Sequence, residues 1–314
     1  MSVAFIFPGQ GSQSVGMLTT LADRPEVAAL LGAADKVLGE SISTLIAEGP
    51  AEELSLTTNT QPAMLLAGLA CLAAWRSAGG FEPDFVAGHS LGEYTALAAA
   101  GAIDPEVAMA LVRLRAQAMQ EAVPVGVGAM AAILGLPDDQ VALACEQGRI
   151  APDGSREVVD PANYNAPSQV VIAGHKGAVD RACAAAKALG AKRAVLLPVS
   201  APFHSPLLAP AGARLERALS EIVLRSPRMP LINNIDVAQE SDPARIKDAL
   251  VRQAYGPVRW VEVVQALAAQ GVDHFIEFGP GKVLSGLVKR IAPAAQIDTV
   301  HDAASLEQIL ELRK

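Results

Sequence analysis

Cysteine is scarce in this chain of 314 residues: only Cys71, Cys145 and Cys183 occur. They are odd in number, widely spaced and form no CxxC, which argues against a disulfide framework or a thiolate zinc site and suits a reducing compartment. The five histidines (His89, His175, His204, His274, His301) show no metal-ligand spacing. No basic run offers a stripe for phosphates, and the net charge is −8, so nucleic acid is not an expected partner. No stretch free of Gly, Pro and charge is long enough to span a membrane. The opening MSVAFIFPGQG has no basic n-region, and Pro8 and Gly9 break its apolar run, so it reads as a buried strand rather than a signal peptide. What is present is a 51% hydrophobic composition, ample for a full core. These features predict a soluble protein of the cytoplasm, in which any anionic substrate is held by a few placed cations.

Short apolar runs alternate with helical patterns. VAFIF (3–7) and DFVAGHS (84–90) read as strands. PAMLLAGLACLAAWRSAG (62–79), with Pro62 in its first turn, LGEYTALAAAG (91–101) and PEVAMALVRLRAQAMQEA (105–122) read as helices. This is the signature of a mostly parallel α/β sheet. After PVGVG (124–128) the order becomes β-α-β-β-α-β, the ferredoxin-like arrangement. The expected organisation is therefore a large α/β domain formed by 1–126 and 198–314, with a ferredoxin-like small domain, 127–197, inserted in it. The polar segment 148–160 reads as a surface loop.

Gly88-His89-Ser90-Leu91-Gly92 fits G-x-S-x-G, which puts a serine on a tight strand-to-helix turn. An apolar strand precedes it and an Ala-rich helix follows, so Ser90 is the candidate nucleophile rather than an idle turn serine. The free N–H groups of the helix start suit a developing oxyanion. His89 adjoins the serine, but a sharp turn points its side chain away. His204, in the rigid loop APFHS (201–205) after a strand, is the better base; as a lone residue it also fits a surface-loop histidine. No Asp obviously completes a hydrolase triad; a backbone carbonyl could orient the imidazole instead.

On a wheel of about 100° per residue, Arg115 falls on the face of helix 105–122 shared by Val107, Ala108, Leu111, Leu114 and Ala118, whereas Arg113 points to solvent. A guanidinium on the core-facing stripe must find an anion. An internal carboxylate and a substrate carboxylate gripped bidentately stand equal on spacing alone. Phe203, just before His204, likewise has two readings: a wall of the acyl pocket or a packing residue between domains. Two look-alikes fail. Gly9, Gly11 and Gly16 do not give the dinucleotide spacing. GPGK (279–282) lacks the P-loop Ser/Thr, with Val283 in its place, and reads as a turn before a helix.

Taken in order, FPGQGSQ (7–13), TQPA (60–63), GHSLGEY (88–94), Arg115, GAMAAILGL (128–136), NYNAPSQVVIAG (163–174), APFHS (201–205), NN (233–234), LVRQ (250–253) and EFGPGKVL (277–284) resemble the malonyl-CoA:acyl carrier protein transacylases over nearly the whole chain. The resemblance implies a hydrolase-like parallel-sheet domain with a ferredoxin-like insertion. It also implies transfer of malonyl from malonyl-CoA to the phosphopantetheine thiol of acyl carrier protein, supplying fatty acid synthesis. It assigns Ser90 as nucleophile, His204 as base, Arg115 to the malonyl carboxylate, Gln10 and the Leu91 N–H to the oxyanion hole, and Gln253 to the acyl pocket. It implies no cofactor, no metal and a monomer. Only the loop at 148–160 departs from the pattern, by its length. The competing readings are a serine thioesterase, which needs a triad acid and no Arg115; a related transferase of malonate decarboxylation or polyketide synthesis; and a non-enzymatic scaffold.

Overall fold

The computed structural model describes residues 2–311. Four parallel strands form one sheet: β1 (Ser2–Phe7), β2 (Phe85–Gly88), β7 (Val272–Phe278) and β8 (Gln296–Val300), in the order β2-β1-β7-β8. The near-continuous apolar composition of β1 and β2 follows from cover on both faces, whereas β7 carries Asp273, His274 and Glu277 and the edge strand β8 is largely polar. On one face Phe5 meets Phe278, with ring centroids 4.5 Å apart, and Trp75 of the helix Thr57–Ser77 packs edge-on against both. On the other, Ala4, Ile6 and Phe275 join Trp260 and Val264 of the helix Trp260–Ala269.

The second sheet is antiparallel: β3 (Gly128–Leu134), β4 (Val159–Ala166), β5 (Gln169–His175) and β6 (Arg193–Leu196), in the order β4-β5-β3-β6. Helices Asp138–Gly148 and Lys176–Ala188 connect its strands, which gives the β-α-β-β-α-β order and a separate small core around Ile133, Val141, Ile172 and Val179. The mixed α/β architecture, with a parallel sheet and a small ferredoxin-like antiparallel one, is the expected fold class. The segment 149–157 is mostly exposed, and ion pairs of Arg149 with Asp160 and Arg181 with Glu157 pin its ends.

Two local expectations change. The core helix starts at Thr57, five residues before Pro62, so Pro62 lies inside it. Side-chain bonds from Asn59 to the Glu53 carbonyl and from Thr60 to the Leu54 carbonyl anchor this polar first turn, where apolar periodicity is silent. Arg113 is not directed freely at solvent. It pairs with Glu40, a partner brought in by an unrelated segment, while Val107 on the nominal core face is 38% exposed.

The turn after β2 is tight enough to demand glycine for reasons of space. A Cβ on Gly92 would lie 2.0 Å from the Phe7 carbonyl oxygen, and one on Gly88 would lie 1.9 Å from the Gly92 carbonyl carbon. Alanine is favoured over glycine in a helix by about 1 kcal/mol, but a backbone clash at 2.0 Å outweighs that. Gly92→Ala should therefore lower stability by roughly 2 kcal/mol or more. Gly286→Ala, in the helix Val283–Ile291 with nothing within 4 Å of its added carbon, should raise stability by up to ~1 kcal/mol. Urea denaturation of the two variants checks both; a neutral Gly92→Ala would show that the elbow is not closely packed.

Candidate active site

Ser90 and its surroundings lie at the carboxyl ends of β1 and β2, where open parallel sheets collect functional groups. A cavity of about 640 Å³ opens there between the two sheets. The large sheet's side contributes Gln10, Ser90, Arg115 and His204; the small sheet contributes Met130 and Val171.

Ser90 has φ 53° and His204 has φ 60°, both in the left-handed region that non-glycine residues enter at a cost. What holds them there is visible. The Ser90 N–H donates to Asn234 Oδ1 at 2.7 Å, and Asn234 Nδ2 donates to the Gly88 carbonyl at 2.7 Å, so one amide braces both sides of the elbow. His204 is buried, its Nε2 2.7 Å from Ser90 Oγ and its Nδ1 2.9 Å from the Gln253 carbonyl oxygen. A carbonyl accepts only, so Nδ1 carries the proton and Nε2 is left as the acceptor toward the serine. Burial, and secondarily the nearby Arg115 charge, lowers the His204 pKa to about 3. The ring is therefore neutral at physiological pH.

Arg115 is 1% exposed, and it touches no carboxylate among the described residues. Its acceptors are neutral: Gln61 Oε1 at 2.5 Å, Gln253 Oε1 at 3.0 Å and Ser90 Oγ at 3.1 Å. Its Nε is unpartnered, and its guanidinium carbon sits 5.3 Å from the centre of the Tyr94 ring. Burial pulls its pKa down. The internal ion pair that sequence spacing allowed is thus absent.

The remaining expected residues fall as follows. Gln10 is exposed at the cavity, and its main-chain N–H, like that of Leu91, donates to no protein acceptor among the described residues. Because Asn234 takes the Ser90 N–H, the Leu91 N–H is the next donor along the turn. Gln253 is fully buried beneath the cavity rather than lining it, and its side chain joins Arg115 to Ser90 O and Glu93 Oε2, each of the latter at 3.0 Å from Nε2. Phe203 both lines the cavity and packs in the main core. His89 turns away from Ser90, with Nε2 2.8 Å from Asn165 Oδ1 on β4.

Three residues escaped the sequence reading as individuals. Glu93 is buried in the helix Gly92–Ala99 and accepts from the Asn234 N–H and from Gln253 Nε2; burial raises its carboxyl pKa to about 7. Its signal was present: it is the one acid in an otherwise apolar, Ala-rich helix. Gln61 and Asn234 stood only within quoted motifs, with no local pattern to mark their side chains.

No helix among the described residues is long and apolar enough to cross a membrane, and no cluster of His, Cys, Asp or Glu there suits a metal ion. The family model for the acyl transferase domain matches residues 4–307. The malonyl CoA-acyl carrier protein transacylase of Escherichia coli K12 is 51% identical, with 98% of this chain and 99% of the relative covered. The crystal structure of an acyl-carrier-protein S-malonyltransferase from Burkholderia pseudomallei 1710b superposes with a TM-score of 0.96 at 59% identity, covering 99% of this chain and 100% of that one. A malonyl-transacylase solved in complex with a type II polyketide acyl carrier protein gives 0.95 at 47% identity, with 99% and 100% covered. The site and these full-length likenesses together place the chain in the acyl transferase domain family, among the malonyl CoA-acyl carrier protein transacylases.

Proposed function

We propose that this chain transfers malonyl from malonyl-CoA to the phosphopantetheine thiol of acyl carrier protein, through a malonyl-serine intermediate, and so supplies fatty acid synthesis. The observation that carries the substrate choice is Arg115: a buried cation beside the nucleophile, with only neutral protein partners. An acyl group that ends in a carboxylate supplies the missing anion, and two parallel N–H···O bonds fix its orientation. The family membership supports the reading, as does the relative solved with a carrier protein.

In the first half-reaction Ser90 Oγ attacks the thioester carbonyl while its proton passes to His204 Nε2, 2.7 Å away. The oxyanion takes the Leu91 and Gln10 N–H groups. Collapse breaks the C–S bond, and the imidazolium returns the proton to the departing CoA sulfur. In the second half, the carrier thiol gives its proton to His204 and attacks the ester; the serine leaves with that proton. Each proton and bond is accounted for by the two thiols and this chain's own groups, so the reaction calls on no cofactor. We read the protein as a monomer of the cytoplasm, a compartment in which its three free cysteines stay reduced.

Intact mass after mixing with malonyl-CoA alone should rise by one malonyl group in the wild type and not in Ser90→Ala. Labelling of Ser90→Ala at the wild-type level would remove Ser90 from the chemistry.

The lowered His204 pKa sets a pH expectation. Its base form is the neutral ring, and a pKa of about 3 keeps the ring neutral as pH falls through 6.5. Single-turnover loading should show no His204 inflection between pH 5 and 8. Glu93 titrates in that range, so the profile is measured in Glu93→Gln as well. A shared inflection near 6.5 in both proteins would show His204 to be an ordinary histidine.

Arg115→Ala removes one partner of a shielded charge pair, at a cost of about 3–5 kcal/mol for malonyl loading. Acetyl-CoA has no carboxylate and should not share the loss. Arg115→Lys should restore malonyl loading only partly, because an ammonium lacks the planar fork. Equal losses for both substrates, in proteins of equal melting temperature, would defeat the carboxylate clamp.

A further inference from the structure

Gln61 lies on the core helix Thr57–Ser77, whose residues from 60 to 72 are buried on every side. It is 1% exposed and reaches the cavity wall. Its amide has only one workable orientation. Arg115 NH1 donates and cannot accept, so Oε1 faces it, at 2.5 Å; Nε2 then points to Met119 Sδ at 3.7 Å. The second side chain on the guanidinium, Gln253, is also an amide. It stands between Arg115 and the nearest buried acid, with Oε1 on Arg115 and Nε2 on Glu93 Oε2. The cation is thus held by two amides, and Glu93 acts on it only from behind one of them.

We infer that Gln61 is a specificity-determining residue, a neutral amide that fixes the Arg115 guanidinium in place without cancelling its charge. The inference rests on the carboxylate-clamp reading of Arg115. A glutamate has nearly the same shape as glutamine, and at this position it would form a buried ion pair with Arg115. An incoming malonyl carboxylate would have to break that pair, and it would meet a like charge beside the cation. A neutral acyl group would face neither obstacle. Glutamine is what leaves the net attraction available to the substrate.

The test is single-turnover loading of the full chain with malonyl-CoA and with acetyl-CoA, in Gln61→Glu and Gln61→Met, with melting curves for each. In Gln61→Glu the malonyl-to-acetyl ratio should fall by about a hundredfold or more, as expected for displacing a buried pair, with malonyl KM rising. Gln61→Met removes the acceptor and adds no charge, so its ratio should move by less than about tenfold. An unchanged ratio in folded Gln61→Glu would overturn the inference. So would a fall in Gln61→Met as large as in Gln61→Glu, which would make the lost hydrogen bond, not the charge, the cause. If Gln61→Glu does not fold, the Gln61→Met ratio alone still decides: loss of malonyl preference there rejects the proposal. A failure of the clamp itself is read separately, as an unchanged ratio in Arg115→Ala.

Discussion

A guanidinium buried without a contacting counter-ion is the constraint on which this site depends. Taking an ion out of water costs several kcal/mol even after the protein relaxes. Arg115 recovers part of that from three hydrogen bonds to Gln61, Gln253 and Ser90 and from the face of Tyr94. None of these cancels its charge. The rest of the cost is carried by the fold, chiefly by the apolar packing of the helix Pro105–Glu121 against the core helix and the helix Ala209–Ser220. The protein thereby holds a cation that its own groups leave without a contacting counter-ion, the role of the proposed substrate carboxylate.

The same economy of partners governs Ser90. Asn234 fixes the elbow through Ser90 N–H and Gly88 O, and Glu93 fixes Asn234 and Gln253 from below. Gln253 serves with both ends: its carbonyl takes His204 Nδ1, and its side chain takes Arg115, Ser90 O and Glu93. A carboxylate behind the histidine would be the usual orienting group in a hydrolase. Here the acid is displaced to Glu93 and acts through an intervening glutamine. The backbone strain at Ser90 and His204 is tolerable because these partners over-determine both residues.

Much of this was legible because it depends on short spacings. Gly88-His89-Ser90-Leu91-Gly92 marks the elbow, since the steric demand of the turn falls on residues next to one another in the chain. Arg115 stands out on its wheel because a cation on an apolar stripe is anomalous wherever it points. The βαββαβ order of 128–196 follows from alternation and turns. What was hidden depends on distant pairs. Whether Arg115 meets an acid is decided by Gln61 and Gln253, 54 and 138 residues away. Arg113 was misjudged for the same reason, because Glu40 comes to it across 73 residues. The start of the core helix at Thr57 was missed because its first turn is held by side-chain bonds to the preceding segment, which leave no hydrophobic period to read.

Under the proposed function, Arg115 and His204 are electrically linked in a way that favours a carboxylate-bearing substrate. Arg115 is the second cause, after burial, of the low His204 pKa, and its NH2 also donates to Ser90 Oγ. While the guanidinium is unneutralised, its field opposes the imidazolium that forms as Ser90 attacks. A carboxylate seated on Arg115 cancels much of that field, so the imidazole becomes more basic at the moment the acyl carbon arrives. An acyl group without a carboxylate occupies the cavity and leaves His204 depressed. On the proposed clamp, selection for the carboxylate is expressed in the proton transfer as well as in binding, and it reaches kcat as well as KM because the same cation faces both the substrate and the base.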